Sequence, residues 1–79
     1  MVEAPVQNQP GQHLIEEAWE LLDDNERSRV MLRQQVEADF LSRMYRELMA
    51  KVFRGKEKST PERLVAFIRQ GLRRAARYR

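Results

Sequence analysis

FRGKEKSTPERL, residues 53–64, divides the chain more clearly than any other stretch. Gly55 is typical of the position just after a helix, because glycine adopts the left-handed backbone at no steric cost. Thr60 before Pro61 is typical of a helix start, since threonine caps exposed backbone N–H groups and proline fits the first turn. The stretch therefore predicts one helix that ends before Gly55 and another that begins at Pro61.

The predicted C-terminal helix runs from about Pro61 to near the end of the chain, with Ser59 and Glu62 as an alternative capping box. Gly71 lies within its apolar arc, where it either lets another backbone approach closely or weakens the last turns. At 100° per residue the apolar arc contains Leu64, Val65, Phe67, Ile68, Leu72, Ala75 and Tyr78. The opposite arc carries the arginines Arg63, Arg69, Arg73, Arg74 and Arg77.

On the N-terminal side of Gly55, 43 residues contain neither glycine nor proline and have a helix-forming composition. They predict a long central helix from about Glu26 to Arg54, about 42 Å at 1.5 Å per residue. Its first half carries a second apolar stripe of Leu32, Val36 and Phe40, apart from the main stripe. One neighbouring surface cannot cover both stripes. Either helices of the same chain enclose this helix, or one stripe contacts another chain. The main stripe is Val30, Met31, Ala38, Leu41, Met44, Tyr45, Leu48, Met49, Val52 and Phe53.

A first helix is predicted from about Gln12 to Leu22, with one apolar side and one acidic side. Asp23 and Glu26 have the spacing of a capping box, which favours a turn near 23–25. One continuous helix with a polar gap is the alternative. The apolar side consists of Leu14, Ile15, Ala18, Trp19, Leu21 and Leu22, and the acidic side of Glu16, Glu17, Glu20, Asp23 and Asp24 beside His13.

The fold class follows from these helices together with the length of 79 residues. The sequence contains neither alternating β-branched runs nor hairpin turn pairs, so strands are not expected. We predict a small all-α three-helix domain over residues 12–79: a helical hairpin with a long central helix, plus a C-terminal amphipathic helix. Pro5, Pro10 and Gly11 indicate that residues 1–11 are a flexible tail.

Several function classes have no support in the composition. Without cysteine and with only His13 as histidine, the chain offers neither a thiol nucleophile nor a metal-ligand cluster. Its three glycines are isolated, so there is no phosphate-binding loop. We therefore expect a non-enzymatic protein with no catalytic residue, cofactor, metal or small-molecule substrate. The sequence shows neither a membrane-spanning run nor a secretory signal, which favours the cytoplasm.

Charge is distributed unevenly and indicates a binding role. Residues 1–40 carry nine acidic and three basic side chains, whereas residues 41–79 carry three acidic and twelve basic side chains. We expect an adaptor or regulator that docks on a larger protein assembly or forms a homo-oligomer through its long central helix. Its predicted protein contact is Leu32, Val36 and Phe40, and its charged contact set is Arg73, Arg74 and Arg77. The alternative is nucleic-acid binding through the basic face Arg63, Arg69, Arg73, Arg74 and Arg77. A membrane-surface role ranks below both, because the apolar arc of the last helix is needed for the core.

Overall fold

The computed structural model describes residues 11–77, apart from the side chain of Arg77. These residues form four α-helices and no strand: α1 Gln12–Leu21, α2 Asp24–Val36, α3 Phe40–Phe53 and α4 Pro61–Arg77. The predicted all-α class is confirmed, but four helices stand where three were predicted. None of these four is long and apolar enough to cross a membrane. The predicted flexible tail, except Gly11, lies outside the described residues.

The turn between α1 and α2 is built by the predicted capping box. Leu22 has an extended backbone, and Asp23 takes the N-cap position of α2. The Asp23 carboxylate accepts a hydrogen bond from the Glu26 backbone N–H at 2.7 Å, and the Glu26 carboxylate accepts one from the Asp23 N–H at 3.0 Å. Each side chain thus satisfies a backbone donor at the helix start. A break between the first two helices is confirmed, but it lies at Leu22 and Asp23, because α2 already begins at Asp24 rather than at Glu26.

The predicted long central helix is wrong, because the chain bends between α2 and α3. Glu37 has an extended backbone (φ −133°, ψ 94°), and the helix resumes at Phe40. A straight helix of about 42 Å would extend well beyond α4, which at 17 residues is about 26 Å long. Because of the bend, both halves pack against α4, and Val30 and Phe40 enter the same core. Neither glycine nor proline marks this position.

Glu37 also forms ion pairs on both sides of the bend. Its carboxylate accepts hydrogen bonds from Arg43 of α3, one of them at 3.0 Å, and from Arg33 of α2 at 3.1 and 3.3 Å. Arg43 reaches Glu47 as well, at 2.8 Å. The hydrogen bond from Arg43 lowers the pKa of Glu37, and the one from Arg33 adds to this effect, against the opposing effect of burial. The bend is therefore held by a charged network.

This network makes stability depend on pH. Because the pKa of Glu37 is lower in the folded state than its ordinary value of 4.5, its contribution is present above that value and lost as pH falls through the folded pKa. We expect Glu37→Gln to lower the free energy of unfolding by about 1 kcal/mol at pH 7 and by less at pH 3. Urea unfolding at both pH values measures this difference. An equal loss at pH 7 and pH 3 would contradict it.

The connection between α3 and α4 follows the sequence prediction closely. Gly55 has φ 72°, its N–H donates to the Val52 carbonyl at 2.9 Å, and the Lys56 N–H donates to the Lys51 carbonyl at 2.9 Å. This pair of bonds is a Schellman motif. Thr60 caps α4, because its hydroxyl accepts a hydrogen bond from the Arg63 N–H at 3.2 Å. Thr60 therefore acts as the N-cap.

All four helices contribute to one core, with α4 in contact with each of the other three. The predicted apolar arc of α4 is buried as far as Leu72. Gly71 is also buried, and a Cβ there would lie 2.7 Å from the Met44 sulfur and 3.1 Å from the Phe40 ring. The space at this glycine is therefore filled by side chains of α3 rather than by another backbone. The core consists of Ile15, Ala18, Leu22, Val30, Phe40, Met44, Leu48, Leu64, Val65, Phe67, Ile68 and Leu72.

Candidate functional site

The three residues of the predicted protein contact separate in the structure. Leu32 and Val36 are on the surface of α2, with 63% and 78% of their area exposed. Phe40 is fully buried and belongs to the core, so it is not available to a partner. The bend at Glu37 causes this separation, because it turns the first residue of α3 inward. The predicted contact stripe is corrected to Leu32 and Val36.

The predicted basic face of α4 is largely paired within the chain. Arg63 binds the Glu57 carboxylate with two bonds of 2.7 Å, and Arg69 binds Glu26 at 2.5 and 3.3 Å. These contacts lower the pKa of Glu57 and of Glu26, chiefly through the arginine hydrogen bonds. The basic face therefore neutralises carboxylates of the loop and of α2.

The remaining arginines of this face have different surroundings. Arg74 reaches Glu47 of α3 at 3.3 Å. Arg73 is exposed and forms no ion pair with any other described residue, and the side chain of Arg77 is outside the described part. A groove of about 730 Å³ between α3 and α4 contains both charge signs, because two carboxylates stand among its cations. Its lining is Glu47, Lys51, Glu57, Arg63, Ala66, Phe67, Gln70, Arg73 and Arg74.

A larger groove, of about 920 Å³, lies between α1 and α2. These two helices are consecutive but contact each other only sparsely, since α4 and α3 fill the space beneath them. The groove therefore has an apolar floor that no helix of the described chain covers. Its lining is His13, Ile15, Glu16, Glu17, Trp19, Glu20, Met31, Gln34, Gln35 and Leu41.

Arg27 fixes the corner at which the two walls of this groove meet. Its guanidinium donates to the carbonyls of Trp19 and Glu20, each at 3.0 Å, and lies 5.9 Å from the centre of the Trp19 ring. The last carbonyls of α1 are thereby satisfied by a side chain from α2. Trp19 is half-buried and held between this cation and the groove.

The α1 wall of the groove is acidic, whereas the α2 wall is neutral. Glu16, Glu17 and Glu20 are exposed, and none of them forms an ion pair with another residue of the described chain. The α2 wall presents Met31 between the amides Gln34 and Gln35. The groove thus combines an apolar floor with a single sign of charge on one side.

Sequence reasoning missed most of this groove. Trp19, Met31 and Leu41 were assigned to apolar stripes that face the core, but Met31 is 60% exposed and the other two are half-buried. Phe53 was assigned to the same stripe and is 87% exposed at the end of α3. The available signal was the gap in the main stripe between Met31 and Ala38, which marks the bend.

Known proteins do not supply a family for this chain. Comparison with protein-family models, with curated proteins and with solved structures found no match. The function is therefore inferred from the side chains of the described residues and from their chemistry.

Proposed function

We propose that this protein is a non-enzymatic protein-docking module, an adaptor or regulator, that binds an amphipathic helix of another protein. The groove between α1 and α2 is the observation that supports this proposal. A groove lined by Trp19, Met31 and Leu41 suits the apolar side of a helix, which places anchors every three or four residues. Leu32 and Val36 are also exposed on α2, but neither of them lines the groove.

The groove is also held in shape before any partner arrives. The Asp23–Glu26 capping box fixes the turn, and the two Arg27 hydrogen bonds join the end of α1 to α2. Preformed sites lose little conformational entropy when they bind, so more of the burial energy contributes to affinity. This supports docking of a preformed surface on a partner helix.

Selection from a helical peptide library tests the proposal. A phage-displayed library with fixed apolar positions and random polar positions would be panned on the immobilised protein. We expect binders that change the fluorescence of Trp19, the one tryptophan of the chain. Met31→Ser should weaken them about tenfold or more, because binding would bury a methionine that is now 60% exposed.

Phe53→Ser is the matched control for this selection. It also removes an exposed apolar side chain, but Phe53 lies at the end of α3 and does not line the groove. The control should leave peptide affinity within about twofold of the original. A library without binders, or binders that depend equally on Phe53 and Met31, would overturn the docking function.

Docking on a second copy is the competing form of protein binding. A two-fold symmetric contact through the groove would bring Glu16, Glu17 and Glu20 of both copies together, and like charges at that distance repel. We therefore propose that another protein provides the helix. A dimer in sedimentation equilibrium that Met31→Ser abolishes would show instead that the chain binds itself.

Nucleic-acid binding through α4 has weaker support. Phosphate binding needs cations whose charge is available, and Arg63, Arg69 and Arg74 are paired with carboxylates of the same chain. An approaching phosphate would have to compete with these contacts. A helix entering the groove between α1 and α2 need not displace any such ion pair of Glu16, Glu17 or Glu20.

A further inference from the structure

The glutamates on the groove wall differ in their partners from several others among the described residues. Glu26, Glu37, Glu47 and Glu57 each accept hydrogen bonds from an arginine of the same chain. Glu16, Glu17 and Glu20, which line the groove, form no ion pair within the described residues. Two other described carboxylates also lack an ion pair, but Asp23 caps α2 and Glu62 lies on α4. The three on the groove wall therefore concentrate negative charge beside the apolar floor.

Neither lysine nor arginine among the described residues lines the groove to offset this charge. The facing wall contributes Gln34 and Gln35, whose amides are neutral, and His13 is the one basic side chain in the lining. Arg27 lies at the corner, where its guanidinium pairs with Asp24 at 3.5 Å and donates to two carbonyls of α1. A helix that enters the groove would meet a negative potential along one side.

We infer that the occupant of the groove is a basic amphipathic helix, whose apolar side packs on Trp19, Met31 and Leu41 and whose lysines or arginines face Glu16, Glu17 and Glu20. This inference rests on the docking function proposed above and specifies the charge of the partner. The walls set the length of the contact, since α1 has 10 residues and α2 has 13, about 15 and 20 Å. A helix of roughly three turns would fill it.

The division of roles between the two parts of the groove follows from their chemistry. Burial of the apolar side provides most of the affinity, because exposed ion pairs are individually weak. The three carboxylates provide selectivity, because opposite charge accelerates encounter and like charge repels a wrong partner. The same apolar sequence with acidic flanks should therefore bind poorly.

Two versions of one peptide test the charge of the partner. The probe is the tightest peptide from the library, synthesised with lysine at every polar position or with glutamate at every polar position. We expect the lysine peptide to bind about tenfold more tightly at 50 mM salt, with a smaller ratio at 500 mM salt because ions screen exposed charges. Trp19 fluorescence measures both affinities.

Reversing one charge in the groove tests whether the preference for the lysine peptide arises there. Glu20→Lys should weaken the lysine peptide about threefold to tenfold. Glu62→Lys is the matched control, because it makes the same change in net charge at an exposed site of α4 outside the groove lining. This control should change affinity by less than about twofold.

The results of these experiments distinguish a wrong partner charge from a wrong docking function. Equal affinity of the two peptides, combined with loss of binding in Met31→Ser, would overturn the basic partner and leave docking intact. Equal weakening by Glu20→Lys and Glu62→Lys would likewise overturn it, since only net charge would then matter. A library that yields no binder removes the docking function and this inference together.

Discussion

Phe40→Ala is expected to lower the free energy of unfolding by about 3–5 kcal/mol, the range for removing a buried phenylalanine. The Phe40 ring is fully buried and packs beside Gly71, which has no side chain. Phe40 is the first residue of α3, just after the bend. Its removal leaves a cavity where α3 meets α4. Because small domains have total stabilities of roughly 5 kcal/mol, much of the variant should be unfolded. Urea unfolding followed by circular dichroism measures the loss.

Leu32→Ala is the matched control for this prediction. Leu32 and Phe40 were expected to share one contact stripe, but Leu32 is 63% exposed, so its truncation should cost less than about 0.5 kcal/mol. Phe40→Leu provides a milder variant that keeps the domain folded. If Phe40→Ala and Leu32→Ala proved equally harmless, Phe40 would not be a core residue.

Local sequence signals were sufficient for the helix boundaries that depend on local chemistry. Asp23 with Glu26, Gly55, and Thr60 with Pro61 all occupy the predicted cap positions. Caps act through backbone groups a few residues away, so short motifs contain the necessary information. The apolar arc of α4 was predictable for a similar reason, since helix periodicity alone defines it.

The bend at Glu37 could not be predicted from such signals. It arises because α2 and α3 both pack against α4, and neither glycine nor proline marks the position. Ion pairs from Arg33 and Arg43 stabilise the bent chain. The Arg33 pair has the local i,i+4 spacing, but Arg43 reaches Glu37 only across the bend. Tertiary packing thus overrides helix propensity here.

The candidate groove was hidden for a related reason. Trp19, Met31 and Leu41 have the periodicity of core residues, and periodicity does not reveal which apolar face lacks a partner. The acidic side of α1 was predictable, because it depends on one helix alone. That this acidic side borders an apolar groove depends on the direction of α2 relative to α1. The capping box and the Arg27 hydrogen bond to the Trp19 carbonyl determine this direction.

Gly71→Val is expected to destabilise the protein by about 2–3 kcal/mol, although valine is intrinsically the better helix former. Helix propensity alone favours valine over glycine by a few tenths of a kcal/mol. Packing opposes it, because even the Cβ would lie 2.7 Å from the Met44 sulfur and 3.1 Å from the Phe40 ring. The two branches of valine would then force α3 and α4 apart or move both side chains off their rotamers.

Gln70→Val separates the two effects, since it introduces the same side chain one position earlier on the exposed side of α4. There valine should cost less than about 1 kcal/mol, through helix propensity alone. The difference in unfolding free energy between the two variants therefore measures the cost of fitting valine against the Met44 and Phe40 side chains. If Gly71→Val had the same free energy of unfolding as the unmodified chain, the Met44 and Phe40 side chains would have to leave room for valine. Gly71 would then be replaceable.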